Sequence, residues 1–538
     1  MKGLLVAFAL SLPAVSYSVP NIILYVADDL GVGEVNQHEP EWSFDEKNIL
    51  KRIPSNRRMQ TPGLSKLAKE GKRFMRSYAS SSVCGPSRHS LMTGIQVGLN
   101  FVRGNGQGNE NSDVDIPNDR TTIAEMLHSN GYETAAVGKW GMASEDDSAG
   151  SPCRRGFDLF FGFFTHASTG YSFPKQLPSC TRENPAPNFT TYPNNEGASQ
   201  NKCFGTGVCT YADHEFRRVA LEFIDTAASP FFLYWAPTAP HSSLYENDAD
   251  KFDDCRLKTH PVPEFGLYAN SPVPRRQAKS EVKGHKAMVG LTIDEDIKQL
   301  LEHLDENGHG LNTLVIFISD NGPHQEGFKD RRYNPAQYFS AQAGMKGIKR
   351  GMYEGSLRSP TIMWYPGVIP AGTISTYPIM HYDLALTIAK FAGINSNLAD
   401  FQITNAGGTA VDEVAMANSD TDLITAGKVP DRTWLYAEMC HLTAGRNRRG
   451  KVCPRKWSPT VGCVWSMYDL TSWPKAVYKL YRQFPTSRIL FNEVIGDPLE
   501  KKALERANRF RSKKATLMTL RQEIRTPFCE AKYSDNGC

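Results

Sequence analysis

Asn21-Ile22-Ile23-Leu24-Tyr25-Val26-Ala27-Asp28-Asp29-Leu30-Gly31 is an apolar run that stops abruptly at two carboxylates. A strand with one wet face alternates apolar and polar residues. This one does not, which predicts a strand buried on both faces, as in a parallel sheet with helices on either side. Thr313–Ser319, Thr-Leu-Val-Ile-Phe-Ile-Ser, repeats the pattern and ends in Asp320-Asn321-Gly322. Residues 230–235, Pro-Phe-Phe-Leu-Tyr-Trp, make a third run, followed by Ala236-Pro237-Thr238-Ala239-Pro240-His241. Helical patterns cover 122–129 and 381–392 and stop at Asn130-Gly131 and Gly393. Strands alternating with helices predict an α/β fold.

Outward from these elements, residues 142–210 and 242–280 are rich in Pro, Gly, Asn, Ser and Cys and read as long loops on one rim of the sheet. Beyond Gly393 the chain turns small and polar to about residue 428. Strand-like pieces follow at 432–439, 466–469 and 477–482. A closing helix is expected over roughly 498–525, where Ala503, Ala507, Phe510, Leu517, Leu520 and Ile524 share a face. This reading gives a large domain over 19–429 and a smaller α+β domain over 430–538.

The 538 residues are 40% hydrophobic and 22% charged, which excludes a disordered chain, a collagen and a coiled coil. A net charge of +4 gives no whole-molecule field that would favour nucleic acid. Residues 1–18 have a charged start at Lys2, an apolar run over 3–15 and small residues at Ser16-Tyr17-Ser18, the pattern of a removed secretory signal. No later apolar run approaches the roughly 20 residues of a membrane span, so none is expected. Asn188-Phe189-Thr190 is a glycan acceptor triplet that fits a secretory route. In that oxidising route most of the 11 cysteines should pair, and the odd count leaves one over.

In open α/β sheets, ligands sit off the carboxyl ends of strands. Asp28 and Asp29 follow one such end, and Asp320 and Asn321 follow another. Three carboxylates and an amide are hard oxygen donors, suited to Ca²⁺ or Mg²⁺. If the two strands are neighbours, the carboxylates repel one another unless a cation joins them. Each pair also fits simple turn chemistry, since Asp-Gly and Asn-Gly are common turn formers.

Ser81-Ser82-Val83-Cys84-Gly85-Pro86-Ser87-Arg88-His89-Ser90-Leu91-Met92-Thr93-Gly94 contains Cys-x-Pro-x-Arg followed by a hydrophobic pair and Thr-Gly. Here the chain strongly resembles the sulfatase family. The resemblance implies an alkaline-phosphatase-like mixed sheet sandwiched by helices. It also implies that a formylglycine-generating enzyme of the endoplasmic reticulum oxidises Cys84 to formylglycine, whose hydrate is the nucleophile. That conversion would leave ten cysteines to pair. By the same resemblance Asp28, Asp29, Asp320 and Asn321 hold one calcium ion, which the residue 84 hydrate also faces. Gly131 to Trp140 is similar to the family's second signature and makes Lys139 a sulfate-binding lysine. Ala239-Pro240-His241 resembles the segment whose histidine contacts the ester, and Lys349 resembles the second sulfate-binding lysine. Arg88 is expected to hold the hydrate oxygen. Asp497-Pro498-Leu499-Glu500 resembles the family's closing segment.

One departure stands out. The second signature normally continues Gly-Lys-Trp-His, and this chain has Gly141 in place of that histidine, which in the family contacts the formylglycine hydrate. His89 and His324 are the candidate replacements. The expected activity is hydrolysis of a sulfated small molecule or a sulfated polysaccharide, in the extracellular space or the lysosome. A sulfatase-like protein that binds glycans without turnover and a phosphoesterase of the same superfamily are the alternatives. Arg446, Arg448, Arg449, Lys451, Arg455 and Lys456 beside Trp457 read either as solvated charge or as a groove for an anionic glycan.

Overall fold

The computed structural model describes residues 19–35, 57–97, 115–166, 172–195, 210–241, 288–325 and 335–394, a few short pieces between them, and the backbone of four strands within 434–495. Ten strands form one sheet. In chain order they are β1 (Asn21–Ala27), β2 (Lys72–Phe74), β4 (Glu133–Lys139), β5 (Leu159–Phe163), β6 (Gln176–Thr181), β7 (Asn188–Thr191), β8 (Phe231–Ala236), β9 (Thr313–Ser319), β10 (Ile362–Trp364) and β11 (Thr373–Ser375). The number missing from that run is β3 (Ser77–Tyr78), which pairs with β12 (Ile379–Met380) outside the sheet. The spatial order is β11-β2-β10-β9-β1-β8-β4-β5-β6-β7.

The centre, β9-β1-β8-β4-β5, is parallel throughout. Both edges turn antiparallel, at β10 on one side and at β6 and β7 on the other. Alternate residues of each central strand feed two separate cores. Ile22, Leu24, Val26, Leu314, Ile316 and Ile318 pack with the helices Cys84–Thr93, Ile123–His128 and Asp383–Phe391. Ile23, Tyr25, Ala27, Val315 and Phe317 pack with the helices Pro62–Glu70, Ala212–Thr226 and Asp294–Glu306. The unbroken apolar runs follow from this: neither face of β1 or β9 meets water.

The three central strands lie as the sequence predicts, with 230–235 shifted by one residue to Phe231–Ala236. The helix expected over 122–129 forms at Ile123–His128, capped by the Thr122 hydroxyl on Glu125 N–H and the Glu125 carboxylate on Thr122 N–H. The reading of 142–210 as loop is corrected. β5, β6 and β7 extend the sheet there, and a disulfide joins Cys153 to Cys180. Their Gly, Pro and Asn content suits short edge strands, which loop-like composition disguises. Asn188 is exposed on the last strand of the sheet.

A separate antiparallel sheet of β13 (Trp434–Leu442), β14 (Val461–Asp469), β15 (Ala476–Gln483) and β16 (Arg488–Ile495) covers the strand-like pieces read at 432–439, 466–469 and 477–482. The segment 242–280, the basic cluster from Arg446 to Lys456 and the closing helix expected over 498–525 lie outside the described residues. Among the described residues, no helix is long and apolar enough to cross a membrane.

Candidate active site

Parallel pairing brings the carboxyl ends of β9, β1, β8 and β4 side by side. Ala27 pairs with Ser319, so the residues that follow, Asp28 and Asp320, leave the sheet level with each other. The backbone stitches these ends together: Asp320 N–H donates to Ala27 O at 3.0 Å, and Asp28 N–H donates to Ala239 O at 3.1 Å. Asp29 takes a left-handed backbone with φ of 66°. That conformation is unusual for a residue with a side chain and is typically kept where a site requires it. Its N–H donates to Asp320 Oδ1 at 3.1 Å, and its Oδ1 accepts from Asn321 Nδ2 at 2.6 Å.

The helix Cys84–Thr93 delivers the next two groups. It ends at Gly94, whose φ of 67° is the left-handed cap favoured by glycine. Leu91 and Met92 bury it in the core, and Ser87 Oγ donates to Asp320 O at 2.6 Å. Cys84 and Arg88, four residues apart, share one face of that helix. The Cys84 sulfur lies 3.5 Å from Asp28 Oδ1. Arg88 is wholly enclosed: Nε and a terminal nitrogen each lie 2.9 Å from Asp320 Oδ2, and the other terminal nitrogen donates to Lys139 O and to the Tyr234 hydroxyl at 3.0 Å. Arg88 therefore fastens the ends of β9, β4 and β8.

Two lysines complete the cluster. Lys139, the last residue of β4, donates to Asp28 Oδ2 at 2.7 Å. Lys349 donates to Asp29 Oδ2 at 2.8 Å and lies 2.9 Å from His241 Nε2. His241 Nε2 is also 3.4 Å from Asp29 Oδ2, and its ring stacks on His324 at 5.6 Å. All nine residues that the sequence nominates for the site thus converge on one buried cluster.

Burial opposes every charge here, and neighbours decide the outcome. Burial pushes the Asp29 carboxyl up, but Lys349 and His241 overcome it and hold Asp29 well below the usual carboxylate range. Asp320 goes the other way, raised by burial and by the Asp28 charge despite Arg88. Burial lowers Lys139, yet Asp28 leaves it raised. His241 is pushed well down, by burial and then by Lys349. Burial and the Asp320 charge push the Cys84 thiol far up. A thiol held protonated is a poor nucleophile, so sulfur itself is not suited to be the working group.

The donor set fits a hard divalent cation. Asp28, Asp29 and Asp320 supply carboxylate oxygens, and Asn321 Oδ1 is buried with no hydrogen-bond partner among the described residues. Among those residues, ligand atoms of Asp28, Asp29, Cys84 and His241 all lie within 4.8 Å of one another. Oxygen donors dominate, which favours calcium or magnesium over zinc.

Comparison with known proteins decides the family, because the sulfatase family profile matches residues 20–394. The chain belongs to the sulfatase family. It is 27% identical over 425 residues to an uncharacterized sulfatase of Escherichia coli, covering 71% of this chain and 63% of that one. It is 28% identical over 402 residues to mouse N-acetylgalactosamine-6-sulfatase, covering 70% and 63%. The match therefore spans a little under two thirds of these two relatives. A solved structure of a protein bound to its substrate, D-glucosamine-2-N,6-O-disulfate, superposes with a TM-score of 0.63 at 18% identity, covering 97% of this chain and all of that one. The fold of this family member is the alkaline-phosphatase-like α/β sandwich.

Of the two suggested replacements for the histidine missing at Gly141, His89 lies in the helix that begins at Cys84 and His324 stacks on His241. His89 is buried within its helix, and His324 Nε2 lies 3.3 Å from Pro240 O. The ring beside Gly141 is His166, which the sequence reading passed over: a Cβ built on Gly141 would lie 2.6 Å from its Cε1. Tyr234, on Arg88, was also missed, because it sits inside an apolar run that reads only as core.

Proposed function

We propose that this chain hydrolyses sulfate monoesters, with residue 84 acting as formylglycine beside a calcium ion. The observation that carries the reading is the place of Cys84: a buried thiol at 3.5 Å from Asp28, in a cluster where Arg88, Lys139 and Lys349 meet three carboxylates. Calcium, held by Asp28, Asp29, Asp320 and Asn321, would supply positive charge, and the residue 84 hydrate would supply an oxygen nucleophile.

The chain's own residues do the rest. In the structure each lysine neutralises one carboxylate. With those carboxylates engaged by a cation, Lys139 and Lys349 would be the groups placed to hold and orient sulfate oxygens as charge develops. Arg88 pairs with Asp320 and holds the ends of β9, β4 and β8 together. His241 Nε2, within hydrogen-bond distance of Lys349 Nζ, is the atom placed to hold a proton for the departing alcohol oxygen.

The relatives support a sulfated sugar or a simple aryl sulfate as substrate. The reading also includes entry into the secretory route by residues 1–18, maturation by the formylglycine-generating enzyme, a glycan on Asn188, and action in the extracellular space or lysosome. The test is release of inorganic sulfate from an aryl sulfate by the secreted protein, set beside Cys84→Ala. Sulfate released by the parent and not by the variant supports the proposal. Equal release, or none from either, contradicts it.

A further inference from the structure

We infer that His166 is an active-site residue of this chain: it accepts a hydrogen bond from the residue 84 side chain and takes its proton during turnover. The inference rests on the sulfatase reading above and deepens it.

The geometry comes from two neighbouring parallel strands. β4 and β5 pair up to Lys139 and Phe163, and the pairing continues past them. Trp140 N–H donates to Phe163 O at 2.9 Å, and Gly141 N–H donates to Phe164 O at 3.0 Å. The segment carrying His166 is thereby zipped to the one carrying Lys139. A turn then fixes His166, whose carbonyl accepts from Thr169 N–H at 3.2 Å and from Thr169 Oγ1 at 2.7 Å.

The ring sits between two glycines. A Cβ on Gly141 would meet His166 Cε1 at 2.6 Å, Nδ1 at 2.9 Å and Nε2 at 3.2 Å, so the ring would have to shift before a side chain could stand at 141. A Cβ on Gly85, the neighbour of Cys84, would meet the same Cε1 at 3.5 Å. Cε1, which lies between the two ring nitrogens, is the ring atom nearest both glycines, so this edge of the imidazole borders the first turn of the helix that begins at Cys84. His166 Nε2 is closed off from solvent.

The other groups of the site are ill suited to that task. Arg88, Lys139 and Lys349 are cations that can only donate, Asp28 and Asp29 are tied to the lysines, and His241 is tied to Lys349. The step itself is a simple proton transfer. A residue 84 hydroxyl gives its proton to a His166 ring nitrogen, and the electron pair of that O–H bond stays on the oxygen.

Three measurements test this. His166→Gln should lower kcat on an aryl sulfate by about a hundredfold while KM moves less than about threefold. Relocating the imidazole, Gly141→His with His166→Gly, should recover the rate to within about tenfold of the parent. In the unaltered protein, the Cε1–H signal of His166 in a proton–carbon spectrum should move as inorganic sulfate is added to saturation. His166→Gln within about twofold of the parent would overturn the inference, and so would an unmoved Cε1 signal. If the parent releases no sulfate and keeps its thiol, the sulfatase reading fails on its own, and the spectrum still reports whether His166 borders the anion site.

Discussion

Lys349 Nζ lies 2.8 Å from Asp29 Oδ2 and 2.9 Å from His241 Nε2, so one ammonium joins a carboxylate at the end of β1 to a histidine beyond the end of β8. Lys139 makes the matching contact to Asp28 at 2.7 Å. These two lysines serve as counter-ions for the carboxylates that would otherwise hold the cation. A cation bound by these carboxylates would therefore be coupled to stability through the same contacts.

Lys139→Met should therefore destabilise the protein far more in chelator than in calcium. Leaving a buried carboxylate without its partner costs about 3–5 kcal/mol, and a bound ion offsets most of that. Thermal melts of parent and variant, each with and without calcium, check the coupling. An equal drop in both conditions would show that Lys139 and the ion do not share Asp28.

Calcium should raise the melting temperature of the parent protein. A hundredfold excess over Kd stabilises by about 2.7 kcal/mol. Asn321→Ala should weaken that gain, because Asn321 Oδ1 is the buried oxygen with no protein partner among the described residues. Calorimetric titration of both proteins measures the difference, and identical affinities would remove Asn321 from the ligand set.

Asp294 gives a pH dependence away from the site. It accepts from Leu64 N–H at 2.7 Å and Gly63 N–H at 3.0 Å, capping the helix Pro62–Glu70. Burial outweighs those donors and raises it to about 7. A raised carboxyl contributes stability that is full below its unfolded value near 3.9 and is lost as pH rises through about 7. The parent should lose on the order of 3 kcal/mol across that window relative to Asp294→Asn. Melting temperatures of both at pH 4.5 and pH 8 test this, and parallel shifts would contradict it.

The bridge from Cys153 to Cys180 closes a separation of 27 residues and ties the β4–β5 connection to β6. Cys153→Ala with Cys180→Ala should cost ~3.5 kcal/mol by the loop-entropy estimate. Denaturant unfolding measures it, and a loss below about 1 kcal/mol would show that the unfolded chain is already constrained there.

The central sheet and the nominated site residues were legible for one physical reason. A strand buried on both faces must be apolar throughout, and the ligand end of an open parallel sheet is its carboxyl end, so Asp28 and Asp320 announced themselves. The edge strands β6 and β7 did not, because exposure there allows Pro, Ser and Asn, which read as loop. His166 was hidden for a different reason. Its place beside Gly141 depends on β4 and β5 being neighbours in register, and no spacing in the chain encodes that pairing. The glycine at 141 was visible as a gap in the signature, while the ring that fills it lies 25 positions along the chain.

The most direct measurement is the mass of the peptide spanning Cys84 in protein recovered from the secretory route. The account predicts a mass about 18 Da below the cysteine form, together with reactivity toward a carbonyl reagent, as conversion of a thiol to an aldehyde requires. An intact thiol, alkylated by iodoacetamide in protein that nonetheless releases sulfate, would contradict it.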